Sequence, residues 1–297
     1  MKPNMPPPKI IPCRNCKSTK LIHKFRLTGP AAGADLTSGV HDFFQCCDCS
    51  LVFSNLRLSE ADLLELYGSS YFEDHDSVVA LDRTAVNHDF NRVLHLLDIL
   101  LPEKGKLLDV GCGCGDFLHL AQDHGWDASG LDISEYAANK ASREGKTKVF
   151  VGTLEEADYP AESFDAITAW DFIEHLEDPV AFAQQAKKFL KPSGILVIRT
   201  PNQQSLFHWI AGLAYRFGWT YPLAQLYHAD HLSYFSRKTL AELFEKNGLN
   251  VEIVEYYDVT IHDSRFQGLK KVIIYGIYLV AKMVGRRHAM IAYIKKQ

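Results

Sequence analysis

The stretch Lys106-Leu107-Leu108-Asp109-Val110-Gly111-Cys112-Gly113-Cys114-Gly115-Asp116 decides how this chain folds. Lys106 to Val110 is a mostly apolar run following Pro102 and Gly105, which reads as a strand, and Asp116 to His124 reads as a helix. The turn between them holds three glycines. Glycine lets a backbone turn sharply and lets a ligand come close without a Cβ in the way. The helix that follows presents unpaired N–H groups at its start. In open α/β sheets, ligands sit beyond the carboxyl ends of strands at such a turn.

Spacing separates two kinds of ligand. A dinucleotide fingerprint is GxGxxG, whereas this turn is GxGxG, with Asp116 where the last glycine would fall. Asp109, just before the turn, suits a cationic ligand such as a sulfonium amino acid better than a pyrophosphate. The next strand, Ala128 to Leu131, ends at Asp132, 23 residues after Asp109. A carboxylate there can accept both hydroxyls of a ribose.

Strands and helices alternate outward from this unit. Ser134 caps a helix over Glu135 to Glu144, Lys148 to Val151 and Phe164 to Trp170 read as strands, Pro179 to Leu190 as a helix and Ile195 to Arg199 as a strand. Ser236 caps a further helix to Asn247, and Val251 to Tyr257 and Ala289 to Ile294 complete the strands. Such alternation implies an α/β fold, a parallel sheet with helices on both faces. Upstream, Ser59 to Tyr67 and Ala85 to Leu101 read as amphipathic helices, joined by a polar turn from Gly68 to Ser77 that carries Tyr71 and Phe72.

Residues 105 to 200 resemble the class I S-adenosylmethionine-dependent methyltransferases. Leu107 to Gly115 is similar to that family's first motif and Leu131-Asp132-Ile133-Ser134 to its ribose motif. Phe164-Asp165-Ala166-Ile167-Thr168 resembles its fourth strand, and Leu190-Lys191-Pro192-Ser193-Gly194-Ile195-Leu196-Val197 the motif that follows. The resemblance implies a Rossmann-like seven-stranded sheet with S-adenosylmethionine as cosubstrate. It sets Asp109 near the ligand's amino end and the turn of Gly111, Gly113 and Gly115 against the ligand. Asp132 takes the ribose hydroxyls and Ile133 flanks the adenine, with Thr153 and Leu154 at the adenine edge, Leu154 through its backbone N–H. Trp170 and Asp171 close the fourth strand beside the reacting methyl, although Trp170 equally suits core packing.

Two cysteine pairs, Cys13-Arg-Asn-Cys16 and Cys46-Cys47-Asp-Cys49, precede this region. Two CxxC knuckles can bring four thiolates to tetrahedral Zn²⁺, and four cysteines leave no open position for catalysis. The expected structural Zn²⁺ ligands are Cys13, Cys16, Cys46 and Cys49; Cys46 has the right spacing to Cys49 and Cys47 does not. The long gap between the pairs is filled by a hairpin or loop through Thr28 to Asp42. Cys112 and Cys114 read as small fillers of the glycine turn. The knuckles, with Leu51-Val52-Phe53-Ser54-Asn55, Leu66-Tyr67 and Tyr71-Phe72, resemble bacterial methyltransferases with an N-terminal zinc ribbon, deoxysugar C-methyltransferases among them. The organisation expected is a disordered tail over 1–12, a zinc-ribbon-like domain over 13–56, a helical connector over 57–104, and a methyltransferase domain over 105–297 with insertions at 202–232 and 262–288.

The methyl acceptor is read from the loops beyond the strands. His175 follows the fourth strand, and His228 and His231 precede the helix capped by Ser236. Each is a candidate base or a hydrogen-bonded structural residue; the reading gives His175 to the loop and His231 to the acceptor. His228 and His231 form HxxH, with no third metal ligand evident. The aromatic run Leu206 to Tyr227 reads as a helical lid over the site, suited to a bulky apolar acceptor. Phe266 to Met283 reads as a helix flanked by lysines and arginines, which either packs on its own domain or lies on an anionic membrane surface.

Composition narrows the classes. The 297 residues are 47% hydrophobic with a formal net charge of −4, which gives no general support for nucleic-acid binding. No signal peptide or membrane span is visible in the sequence, so the chain is expected to be cytoplasmic, peripheral at the inner membrane face if 266–288 touches it. The expected activity is methyl transfer to an oxygen or carbon of a small or lipid-linked molecule, and the resemblance extends to ubiquinone-pathway and sugar methyltransferases. Two rivals stand: a non-catalytic S-adenosylmethionine-binding protein, and a nucleic-acid methyltransferase. Against the second weigh the acidic charge and the lack of an Asn/Asp-Pro-Pro-Tyr/Phe motif where Asp171-Phe172-Ile173-Glu174 stands.

Overall fold

A computed structural model describes residues 11–28, 40–58, 60–69, 71–72, 83–145, 147–228, 230–258 and 268–296. The tail before Ile11, the loop over 29–39, the Ser59 cap, residues 70 and 73–77 of the expected joint, and residues 262–267 of the second expected insertion lie outside them. Ile11, which the sequence reading put in the tail, is buried in the same core as Cys13.

The chain begins with β1 (Leu21–Thr28), β2 (Val40–Cys46) and β3 (Val52–Ser54), then α1 (Glu60–Leu66) and α2 (Arg83–Leu100). Alternation follows: β4 (Lys106–Val110), α3 (Asp116–Asp123), β5 (Asp127–Asp132), α4 (Glu135–Gly145), β6 (Val149–Val151), β7 (Phe164–Trp170), α5 (Pro179–Phe189) and β8 (Leu190–Pro201). The remainder is α6 (Leu206–Arg216), α7 (Tyr221–Ala224), β9 (Ser233–Tyr234), α8 (Arg237–Lys246), β10 (Leu249–Tyr257), α9 (Leu269–Met283) and β11 (Ala289–Lys296).

Seven strands form one sheet in the order β10-β11-β8-β7-β4-β5-β6. All neighbouring pairs from β8 to β6 are parallel, and β11 runs antiparallel to both β8 and β10. The chain leaves β4 toward β5 and β6, then returns to the other side of β4 as β7. The order reverses beside β4, so a crevice opens beyond its carboxyl end. As an interior strand, β4 is covered on both faces, which explains its unbroken Leu-Leu-Asp-Val burial. One face packs α5 and α8 through Phe182, Phe189, Leu240 and Phe244; the other packs α2 and α3 through Phe90, Leu94, Leu97 and Phe117. Local signals start the helices: Asp178 accepts from the Val180 and Ala181 amides ahead of α5, with Pro179 in its first turn, and Ser236 forms a capping box with Thr239 ahead of α8.

A second sheet, β1-β2-β3-β9, is antiparallel throughout. Its fourth strand comes from residues 233–234, so the cysteine-bearing segment shares a sheet with the chain beyond β8. One side of this sheet joins the core of the seven-stranded sheet through Phe44, Phe53 and Leu51, beside Phe235 and Leu243. The other side holds Phe25, Phe43 and Val52 against Ala211, Leu223 and Tyr227. This corrects the reading of Leu206 to Tyr227 as a lid. The segment forms α6 and α7, and its inward residues pack on the second sheet rather than over the crevice.

Candidate functional site

The crevice beyond β4 is a cavity of about 440 Å³. Gly111, Gly113 and Gly115 adopt φ of 70°, 51° and 91°, the left-handed region that favours glycine. A Cβ on Gly111 would stand 2.5 Å from the Phe172 ring, so this position has no room for a side chain. Gly111 and Gly113 line the cavity; Gly115 does not, and instead caps α3 with its Cα toward Ala141 and His119. Of the turn cysteines, Cys112 is buried, lies against Gly130 and fills space as expected.

Asp132 is held by the backbone. One carboxylate oxygen accepts from the Gly113 amide at 2.9 Å and the other from the Ser134 amide at 2.8 Å. Burial pushes its pKa up, and the two amide bonds work the other way. Each oxygen keeps acceptor capacity toward the cavity. Asp109 is more deeply placed: burial raises its pKa to about 7, against a 2.6 Å bond donated by Thr168 Oγ1. A cation brought to this cavity would lower it again. Ile133, Thr153 and Leu154 line the wall beside Asp132. Thr153 donates from both its amide and its hydroxyl to Glu156, and the Leu154 side chain is buried in the core.

Trp170 stands between the cavity and the core. It lines the cavity and also packs against Phe90 and Phe117, with ring centroids at 4.6 and 4.8 Å. Asp171 has φ of 45°, a conformation that costs a non-glycine residue energy. It pairs with Arg199 Nε at 3.3 Å. Burial opposes the charge on Arg199, yet Asp171 holds it firmly protonated, and the guanidinium lies 5.3 Å over the Tyr257 ring. The sequence reading passed over Arg199; a lone arginine in an apolar strand, just before Thr200, was the available signal.

The cover of the cavity comes from the segment read as a connector. Leu63, Tyr67, Tyr71 and Phe72 line it, and none of residues 206–227 does. Phe72 lies 3.5 Å from the Cβ position of Gly113 and stacks on Tyr136. Tyr71 packs edge-on against both Tyr67 and Phe72, and burial pushes its phenol up to about 12.

The histidines are placed otherwise than the sequence suggests. His175, in a 3-10 turn over Ile173–His175, lines the cavity; His228 and His231 do not. His231 stands behind it, rings perpendicular with centroids 4.6 Å apart, and burial drives its pKa well below the ordinary value. His175 Nδ1 lies 3.1 Å from the Asp230 carbonyl and 3.0 Å from the Tyr67 hydroxyl. In the neutral tautomer that donates from Nδ1 to this carbonyl, Nε2 carries the lone pair. Buried Glu174, next to His175, accepts from Thr200 through Oε2, while its Oε1 has no hydrogen-bond partner. Burial and then Asp171 push the Glu174 carboxyl well above the ordinary range. In space the potential ligand atoms of Glu174, His175 and His231 group within 4.8 Å, and His228 is not in that group.

The cysteines assemble as a second centre. The sulfurs of Cys13, Cys16, Cys46 and Cys49 all lie within 4.8 Å of one another, with Cys13–Cys49 and Cys16–Cys46 at 3.5 Å. A tetrahedron with Zn–S of 2.3 Å has edges of about 3.8 Å, so the donor set fits Zn²⁺. Both knuckles share one backbone turn: Lys17 donates to the Cys13 carbonyl and Ser50 to the Cys46 carbonyl, and Lys17 and Ser50 both have left-handed φ. Cys46 is therefore the counterpart of Cys13, and Cys47 is exposed outside the cluster. Buried Arg14, inside the first knuckle, donates to the Glu177 carbonyl at 2.9 Å, and Asn15 donates to the Thr239 carbonyl. The knuckle thus rests on the loop that carries Asp171, Glu174 and His175.

The sequence pattern of the methyltransferase-domain family matches residues 84–254, more than half of the chain. The chain belongs to that family. A ubiquinone biosynthesis O-methyltransferase of Psychrobacter cryohalolentis is 28% identical over 165 residues, 53% of this chain and 62% of that protein. A 2-methyl-6-phytyl-1,4-hydroquinone methyltransferase of Synechocystis is 32% identical over 109 residues, 35% of this chain and 34% of that protein. The chain spans less than two thirds of the length of these curated relatives. Among solved structures, the magnesium protoporphyrin IX methyltransferase of Synechocystis with bound S-adenosylhomocysteine shares the fold at a TM-score of 0.57 and 13% identity, covering 80% of this chain and all of that one. Family and fold together make this a class I S-adenosylmethionine-type methyltransferase domain with an N-terminal four-cysteine cluster.

Proposed function

We propose that the protein transfers a methyl group from S-adenosylmethionine to an oxygen or carbon of a small or lipid-linked acceptor. One observation carries this reading above the others. The Asp132 carboxylate is clamped by the Gly113 and Ser134 amides at the reversal point of the sheet, with both oxygens still able to accept a ribose hydroxyl. The acidic floor of Asp109, the glycine turn and the aromatic cover around Phe72 surround the same cavity.

In the proposed reaction, the acceptor's nucleophilic atom forms a bond to the methyl carbon as the carbon–sulfur bond breaks. The bonding pair goes to sulfur and S-adenosylhomocysteine departs. Catalysis of this kind rests on alignment and exclusion of water. Tyr67, Tyr71 and Phe72 close the cavity to water, and Trp170 and the Asp171–Arg199 pair shape the wall at the end of β7. His175 Nε2 takes the acceptor's proton, its ring held by the Asp230 carbonyl; His231 keeps a neutral ring against it. Zn²⁺ on Cys13, Cys16, Cys46 and Cys49 would cross-link the knuckles and so brace the loop of residues 171–178. The lipid-linked alternative for the acceptor draws support from the quinone-type names of the relatives.

The test is a transfer screen with S-adenosylmethionine labelled in the methyl group, run against cell extract separated into polar and lipid fractions. Label in one fraction identifies the acceptor class. Retained S-adenosylhomocysteine binding with no label in either fraction would favour a non-catalytic binding protein.

A further inference from the structure

Both helical insertions leave the sheet at the edge where the cavity opens. α6 follows the carboxyl end of β8, and α9 lies between the carboxyl end of β10, which is parallel to β8, and the start of β11. They are tied to each other. The Leu206 amide donates to the Arg286 carbonyl at 2.9 Å, and Phe207 packs on Tyr278 with centroids 4.8 Å apart.

Their outer surface is not that of a water-facing pair. α9 buries Ala281 but leaves Val272 67%, Leu279 62% and Met283 70% exposed. Only one side of α9, with Ala281 buried and Ile274, Ile277 and Tyr278 half-buried, packs on its own domain. The α6–α7 segment adds Phe217 at 83% and Trp219 at 63% exposed, along with Trp209 and Tyr221. So many exposed large apolar side chains on two linked insertions mark an interaction site. No described helix is long and apolar enough to cross a membrane. At 1.5 Å per residue, the 15 residues of α9 extend about 22 Å, short of the roughly 30 Å hydrocarbon core.

Charge decides the occupant. Residues 206–228 and 268–288 contain Arg216, Lys270, Lys271, Lys282, Arg286 and Arg287 and no aspartate or glutamate, in a chain of net charge −4; Arg287 is paired with Asp258 at 3.3 Å, and the other five leave a basic excess. A second copy presenting the same face would meet like charge. An anionic bilayer meets opposite charge, and exposed tryptophan and tyrosine are the side chains that settle at headgroup level. We propose that α6, α7 and α9 form one platform that docks the protein on the surface of an anionic lipid bilayer, with the cavity edge of the sheet toward the lipid. The proposal stands independently of the methyl-transfer reading.

The experiment uses the full chain with vesicles of phosphatidylcholine alone and of phosphatidylcholine with about one-third phosphatidylglycerol, followed by co-sedimentation and tryptophan emission. Trp209 and Trp219 report from the platform, whereas Trp126 is buried in the core. Binding to the anionic vesicles at least tenfold tighter than to the neutral ones, with a blue shift and loss in high salt, is expected. Phe217→Ser with Trp219→Ser, and separately Val272→Ser with Leu279→Ser, should each weaken it tenfold or more while leaving circular dichroism and melting unchanged. Equal binding to both vesicles, or binding to neither, overturns the proposal. So does a stable dimer in sedimentation velocity that the same substitutions convert to monomer.

Discussion

Removing the Asp132 carboxylate tests the cofactor site most directly. In the free protein that group accepts two backbone amides, from Gly113 at 2.9 Å and Ser134 at 2.8 Å. With ligand it would also accept two ribose hydroxyls. A hydrogen bond to a charged group contributes about 1.5–3 kcal/mol, and each 1.4 kcal/mol is a tenfold change in affinity. Loss of one ribose bond therefore weakens binding roughly ten- to a hundredfold, and loss of both weakens it further. Asp132→Ala should lower S-adenosylhomocysteine affinity at least tenfold by calorimetry. Asp132→Asn should fall between, because its amide keeps one acceptor oxygen and turns an N–H donor toward another donor. A 2′-deoxy analogue of S-adenosylhomocysteine separates the ribose contacts from the turn. Wild type should discriminate against the analogue, and Asp132→Ala should not, giving a coupling energy in a double cycle. Unchanged affinity in a folded Asp132→Ala protein refutes the ribose assignment. Equal discrimination in both proteins would confine Asp132 to holding the turn.

Three further predictions rest on other groups. Asp109 has a folded-state pKa raised from 3.8 to about 7, so the stability this group confers is full below pH 4 and is lost as pH rises through 7. Asp109→Asn, which still accepts from Thr168, should flatten that slope in urea melts and stabilise the ligand-free protein at pH 8 by up to about 4 kcal/mol; an unaltered slope counts against burial of an ionising group there. His175→Gln should lower kcat about a hundredfold or more while S-adenosylhomocysteine affinity stays within roughly twofold, and an unchanged kcat assigns proton removal elsewhere. Elemental analysis should find about one Zn per chain in wild type and in Cys47→Ser, and none in Cys46→Ser; retention of Zn by Cys46→Ser would overturn the ligand set.

The cofactor half of the site was legible in the sequence because its determinants are local. The glycine turn, the acid before it and the acid at the end of the next strand lie within a few dozen residues, and each is imposed by backbone geometry. Left-handed φ at Gly111 and the amide clamp on Asp132 both follow from a strand, a turn and a helix. The alternation of strands and helices was similarly readable, since burial on both faces leaves apolar runs at regular intervals. The CxxC spacing announced four sulfurs for the same reason.

Tertiary structure alone decided what covers the cavity and which histidine faces it. Tyr67, His175 and Asp230 come from three distant segments, and β3 pairs with β9 through residues 52–53 and 233–234 beside them. That pairing draws residues 206–227 onto the N-terminal sheet and leaves the cover to Tyr71 and Phe72. An aromatic helix has the same composition whether it roofs a site, fills a core or faces outward, so α6 and α9 could not be placed by periodicity. Only the packed fold shows that, among the described side chains of α9, Ala281 is buried, Ile274, Ile277 and Tyr278 are half-buried and the rest are exposed, because exposure is a property of what lies opposite a side chain and not of the side chain itself.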